Sequence, residues 1–178
     1  MSLQIHSSLD RLYPPFAEAA KKIMDDYKKL GIKVIVFETE RTWDRQVALW
    51  RQGRNSSGII VDPKKCVTWA APGWSPHHYG LAFDVVFLDE KLRPTWNMKD
   101  KAKKRYCWDM FGPVCTKNKV EWGGYWSPDR RDLPHHQKWF RPLKINEKIW
   151  YKTIRAEYWK NKDKEDVWKL LDKRNLIV

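Results

Sequence analysis

The chain has 178 residues, 42 % of them apolar, with 12 Trp, 7 Tyr and 6 Phe. That length suits one domain and leaves no room for a second full one, and so many bulky side chains exclude an intrinsically disordered chain. The 35 Lys and Arg against 22 Asp and Glu give a net charge of +13, which favours polyanionic surroundings; because the charge is spread along the chain, it does not choose among nucleic acid, anionic lipid and wall polymer.

Cys66, Cys107 and Cys115 are odd in number and lack CxxC spacing, so reduced thiols are expected and a disulfide framework is not. Nowhere do roughly eighteen apolar residues run together, so no transmembrane segment is expected. The opening MSLQIHSSLDRLYPP lacks the apolar centre of a secretory leader. The expectation is a protein held in the cytoplasm and, if wall-directed, released from there; a removed leader stays open.

From Pro14, the spacing of Phe16, Ala20, Ile23, Tyr27 and Leu30 predicts an amphipathic helix, started by prolines and stopped by Gly31. KVIVFETER then predicts a strand from Lys33 to about Thr39, with Arg41 near its end. Trp43, Val47 and Trp50, with Asp44 in a first turn and Gly53 as a stop, predict a short second helix. Residues 54–75 read as loop and LAFDVVF as a strand. Asn97 to Phe111 reads as a helix stopping at Gly112. KVEWGGYW reads as a short strand entering a glycine turn, and SPDRRDLPHHQ as a proline-rich loop. From Arg141 onward, Ile149, Ala156 and Trp159, then Val167, Leu170 and Leu171, lie at helical intervals in a basic segment. The reading taken is a helical pair packed on the core, with wall-polymer or membrane binding as the alternative.

The chemistry concentrates in SPHHYGLAFD. Strand alternation sends Leu81, Phe83, Val85 and Phe87 to one face and Gly80, Ala82 and Asp84 to the other, so Asp84 stands over a nearly bare surface that a ligand or ion can approach. An unpaired carboxylate in a dry interior costs several kcal/mol, so Asp84 needs donors, water or a cation. A hydrogen-bonded loop cap satisfies that need, and so does a metal. Four of the chain's 5 histidines form two pairs, His77–His78 and His135–His136. Two imidazoles and a carboxylate, from His77, Asp84 and His135, suit zinc with an open fourth position, as a catalytic site requires.

These residues resemble a known family. PGWSPHHYGLAFD fits PGxSxHxxGxAxD, EWGGYWSPDRRDLPHHQ resembles EWGGxW followed by DxPHxQ, and RTWDRQVALWRQGR resembles RSxxRQxxLxxQGR. All three belong to peptidoglycan-cleaving metallopeptidases, which include vancomycin-resistance-type D-Ala-D-Ala carboxypeptidases and phage L-alanyl-D-glutamate endolysins, with a more distant likeness to the hedgehog zinc fold. The likeness spans about Val34 to Gln137.

The resemblance implies an α+β fold, with a small, mainly antiparallel sheet, helices packed on one side and one zinc ion per chain in a cleft. Residues 1–140 would form the peptidase domain and 141–178 a basic helical extension. His77, Asp84 and His135 would be the zinc ligands, Asp132 the acidic catalytic residue and Arg41 the holder of the substrate carbonyl. Glu121, Gln46, Ser75, His78 and Trp122 would support the site or the substrate. Adjacent residues in extended backbone point oppositely, so His78 and His136 are not expected to be ligands. His136 stands where the family usually has an aromatic, Tyr125 where it often has an aspartate, and Trp43 with Asp44 where it has small residues; the last two departures reshape the cleft.

The implied function is a zinc-dependent hydrolase of the peptidoglycan stem peptide, an L-alanyl-D-glutamate endopeptidase of the phage endolysin type. A D-alanyl-D-alanine carboxypeptidase and, more remotely, a non-catalytic zinc module are the alternatives. Partners would be the stem peptide and anionic wall polymers, with no nucleic acid, and the chain is expected to act as a monomer.

Overall fold

The computed structural model describes residues 3–96, 100–138 and 147–173. Helix α1 (Pro14–Lys29) opens on two prolines, whose missing N–H is no loss in a first turn, and gives way to Gly31 at φ 70°. It buries Phe16, Ala20, Ile23 and Tyr27 of the predicted stripe and Ala17 beside them, while Leu30 is half-buried. Strand β1 (Val34–Glu38) leads to α2 (Trp43–Arg51), whose N-terminus is capped by Thr42 Oγ1 accepting from Arg45 N at 3.3 Å. Only Gln46 is buried in α2, while Trp43, Val47 and Trp50 are half-buried. That helix therefore serves polar contacts more than the core.

Strand β2 (Ala82–Leu88) is the central ladder, and β3 (Pro94–Thr95) pairs with its far end. Helix α3 (Lys101–Lys117) corrects the expected stop at Gly112, because it runs on through Gly112 and Pro113 for five more residues. Gly112 answers a packing need instead: a Cβ there would lie 2.0 Å from Tyr125 Oη. The expected beginning at Asn97 falls on residues 97–99, outside the described residues.

Strand β4 (Val120–Trp122) enters a 3-10 turn, Gly123–Tyr125, and β5 (His135–Lys138) follows. The loop expected over PHHQ is thus corrected to a strand from His135 onward. HHQK has little β propensity of its own, but β2 and β4 offer it ladder partners on both edges, and such tertiary pairing overrides local preference. Helices α4 (Glu147–Asn161) and α5 (Lys164–Lys173) complete the described chain, and Ile149 of the predicted stripe has its side chain outside the described set.

The fold is α+β. The strands are antiparallel in the order β1-β2-β5-β4. Register decides the rest. Glu38, Asp84 and His135 lie abreast across three strands, and Ala82, Gln137 and Glu121 form the next such row. Between them Phe83, His136 and Trp122 form a row facing the opposite way. The odd row meets α1 and α3 in the core, where Tyr27 stacks on Phe111 at 4.3 Å and His136 on Phe83 at 4.6 Å. Each fully buried large side chain there contributes about 1.5–3 kcal/mol. Glu38, Asp84, His135, Gln137 and Glu121 of the other two rows floor a cleft.

The two C-terminal helices bury Ile154, Val167 and Leu171 in the same core. Trp168 Nε1 donates to Tyr79 O at 2.8 Å and Lys164 Nζ meets Glu40 Oε2 at 2.6 Å, contacts that hold residues beside His77 and Arg41. Among the described residues all three cysteines are free thiols, and no helix is long and apolar enough to cross a membrane.

Candidate metal centre and catalytic cleft

His77 sits in a 3-10 turn, Pro76–Tyr79, that ends in Gly80 at φ 64°. Its Nδ1–H donates to Thr39 O at 2.6 Å, which fixes the tautomer and leaves Nε2 as a lone pair aimed at the cleft. His135, the first residue of β5, lies on the other side of Asp84. Its Nε2–H donates to Gln137 Oε1 at 3.0 Å, and Gln137 Nε2 donates in turn to Glu121 Oε2 at 2.9 Å. The amide so held leaves His135 Nδ1 as the free acceptor.

The three candidate ligand atoms form a compact triangle. His77 Nε2 lies 3.3 Å from both Asp84 Oδ1 and His135 Nδ1, and His135 Nδ1 lies 3.1 Å from Asp84 Oδ1. Ligands at about 2.0–2.1 Å around a tetrahedral ion stand about 3.3 Å apart, so the spacing fits zinc. Three lone pairs converging this closely repel unless a cation sits among them. A neutral His, a second neutral His and a carboxylate are the donor set of an open zinc site, and they are the His/Cys/Asp/Glu group able to hold a metal among the described residues. Burial drives the Asp84 carboxyl upward, but His77 and His135 outweigh it and hold the group well below the usual carboxylate range.

Arg41 follows β1 and is buried among polar partners. Nε donates to Glu38 Oε2 at 2.9 Å, Nη1 to Gln46 Oε1 at 3.0 Å and Nη2 to Asp84 Oδ2 at 3.2 Å, while Nη2 also meets Glu38 Oε2 at 2.7 Å. These contacts occupy four of its five N–H groups and leave one on Nη1. Glu38, itself 1 % exposed, also receives Arg45 Nε. Gln46 is fixed from behind by donating to Ala70 O at 2.6 Å. Arg41 thus braces a ligand carboxylate as well as facing the cleft.

Asp132 precedes β5, with its backbone N–H donating to Gly123 O at 3.1 Å. It opens on the cleft at the edge of the ligand triangle. Desolvation by the surrounding walls, then the nearby Asp84 charge, hold its carboxyl above the ordinary value against the opposing pull of His135, His77 and Arg41. An acid–base group benefits from that direction.

The cleft has a volume of about 1260 Å³. Trp69, Trp74, Trp96, Tyr125 and Trp126 supply aromatic walls, and Arg45, Arg130 and Arg131 add positive charge. Ser75 lines it beside Pro76, while Glu121 accepts from Trp126 Nε1 at 2.8 Å and is linked to His135 through Gln137. Three expected residues lie elsewhere. Gln46 acts behind Arg41. His78 turns away to stack on Trp43, with its Nδ1–H donating to Arg41 O at 3.0 Å. Trp122 faces the core, its Nε1 donating to Leu133 O at 2.8 Å and so fixing the approach to β5.

The bare glycine and alanine surface expected around Asp84 is corrected as well. Gly80 is the left-handed end of the turn and lies against Arg11 and Leu12, and Ala82 is fully buried. What borders Asp84 is charged or polar: Glu38, Arg41 and His135. Sequence reasoning missed Glu38, the Thr39 carbonyl and Gln137. The E of ETER and the Q of PHHQ were visible, but only register shows what they face.

Residues 69–138, which contain the whole ligand triangle and Asp132, match the family described as D-alanyl-D-alanine carboxypeptidase. The chain is 29 % identical over 126 residues to the peptidoglycan L-alanyl-D-glutamate endopeptidase CwlK of Bacillus subtilis (strain 168), covering 70 % of this chain and 71 % of that one. Among solved structures, the L-Ala D-Glu endopeptidase ChiX of Serratia marcescens superposes with a TM-score of 0.49 at 22 % identity, over 77 % of this chain and 87 % of that one. The LdcB LD-carboxypeptidase gives a TM-score of 0.46 at 20 % identity, over 80 % of this chain and 62 % of that one. The candidate ligand triangle and Asp132 both lie inside the segment that matches this peptidase family.

Proposed function

We propose that the protein is a zinc-dependent peptidoglycan hydrolase that cuts the stem peptide between L-alanine and D-glutamate. The observation that carries this reading is the triangle of His77 Nε2, Asp84 Oδ1 and His135 Nδ1, with edges of 3.1–3.3 Å, set in the family segment with Asp132 and Arg41 beside it. The choice of bond follows the curated relative, an L-alanyl-D-glutamate endopeptidase.

His77, Asp84 and His135 would hold the ion. When bound, zinc supplies Lewis acidity that makes water a competent nucleophile near neutral pH. Asp132 takes the proton from the attacking water and delivers it to the leaving amine, work typically worth about 10² to 10⁴ in rate. Arg41 lines the cleft, and its remaining N–H on Nη1 would donate to the carbonyl oxygen as it gains charge; loss of one such donor often costs on the order of 10² to 10³. Glu38 and Gln46 hold that guanidinium in place, so little reorganisation is needed at the moment of reaction. Aromatic walls exclude water from the stem peptide, and the arginines of the cleft attract its carboxylates.

Digestion of purified peptidoglycan with and without a chelator, with the new termini read by mass spectrometry, tests the proposal. Chelator-sensitive appearance of a free D-glutamate amine is expected. Release of terminal D-alanine would assign the carboxypeptidase activity in its place, and no metal-dependent product would defeat the enzyme reading.

A further inference from the structure

A second concavity, of about 550 Å³, opens beside the catalytic cleft at the N-terminal end of α3. Lys101, Lys104, Arg105 and Arg131 line it, with Trp108 and Tyr125 as aromatic walls. Four cations face one carboxylate, Asp109, which is itself exposed and lies 3.7 Å from Arg105. Among the described residues, Lys101, Lys104 and Arg131 make no ion pair.

Lys101 and Lys104 stand in the first turn of α3, directly after Asp100, whose backbone carbonyl accepts from Lys104 N at 2.9 Å. An anion over that turn meets the positive end of the helix dipole together with the two lysines.

Arg131 and Tyr125 line both concavities, so they form the ridge between groove and cleft. Tyr125 is held on that ridge by close contact with Gly112 of α3 and by edge-to-face packing on Trp122 at 5.2 Å. A ligand in the groove therefore runs alongside whatever occupies the cleft.

We propose that this groove binds a phosphodiester-bearing polymer of the bacterial wall and holds the enzyme at the stem peptides that lie next to it. The inference rests on the reading of the cleft as a peptidoglycan site. Repeating phosphates suit a row of cations, and the Trp108 and Tyr125 rings give the intervening sugar or polyol an apolar face. A nucleic acid would offer the same phosphates but would bring no stem peptide to the adjoining cleft.

The test compares the wild type with a Lys101→Glu, Lys104→Glu, Arg105→Glu variant, none of which lines the cleft. Each is co-sedimented over a salt series with purified wall, either intact or stripped of phosphodiester polymers by hydrofluoric acid. Cleavage of a soluble disaccharide-peptide is measured in parallel. The expected result is wild-type affinity for intact wall about tenfold or more above that for stripped wall, steeply reduced by salt, as for other phosphate polymers. The variant should bind both walls equally weakly and cleave the soluble substrate at the wild-type rate. Should charge reversal disturb folding by circular dichroism, Lys104→Gln with Arg105→Gln gives the same comparison.

Unchanged variant binding, wild-type binding indifferent to stripping, or tighter wild-type binding to duplex DNA than to intact wall would each overturn the proposal. If neither protein cleaves the soluble substrate, the peptidase reading fails, while the two walls still decide whether the groove takes phosphodiesters.

Discussion

His135 and His136 are consecutive residues of one strand, with opposite fates. His135 faces the cleft: burial pulls its pKa down, but Asp84, Asp132 and Gln137 outweigh that and raise it. His136 faces the core between Phe83 and Phe111, where burial pushes its pKa down to about 3, and its Nε2 accepts from Tyr27 OH at 2.8 Å. His77 and His78 repeat the division, with His77 on the ligand triangle and His78 against Trp43, lowered by burial to about 4. Chemistry follows from the face a residue lies on and from its neighbours across the sheet. A shift of one residue in the β5 register would exchange a candidate ligand for a core ring.

The largest effect that can sharpen this contrast is total. His135→Ala should abolish zinc binding and turnover while the melting temperature of the apo-protein stays close to wild type, as measured by metal analysis, peptidoglycan digestion and calorimetry. Asp132→Asn should come next, with zinc retained and turnover down by about 10² to 10⁴. Unchanged turnover would remove Asp132 from the chemistry. Gln137→Ala, which frees the His135 ring from Glu121, should weaken zinc affinity by about 10- to 100-fold in a competition titration with a chromogenic chelator. On the core face, His136→Phe keeps a ring but strips Tyr27 OH of its acceptor. It should cost about 1–3 kcal/mol in denaturant unfolding and leave zinc binding and turnover intact below the transition.

The unevenness of what could be read beforehand has the same origin. The α1 stripe, the β1 and β2 runs and the ligand spacing of His77 and Asp84 are local, and local patterns survive into the fold. Strand β5 was invisible, because HHQK becomes a strand only through β2 and β4, each distant in the chain. The α3 boundary was misplaced because Gly112 answers to Tyr125 and not to a helix terminus. In the site, the motif named the candidate ligands and Asp132. The supports Glu38, Thr39 and Gln137 needed the register, since no spacing rule sets Glu38 beside Asp84 or Glu121 beside Gln137. Trp122 and His78, expected to support the site or the substrate, lie outside the cleft and contact the backbone of Leu133 and Arg41.

Metal stoichiometry in three proteins, the wild type, His135→Ala and His136→Phe, purified identically and analysed by mass spectrometry, addresses the central claim most directly. One zinc per chain in the wild type and in His136→Phe, with none in His135→Ala, is the predicted result. Zinc that persists without His135, or that leaves with His136, would contradict the assignment of the two faces.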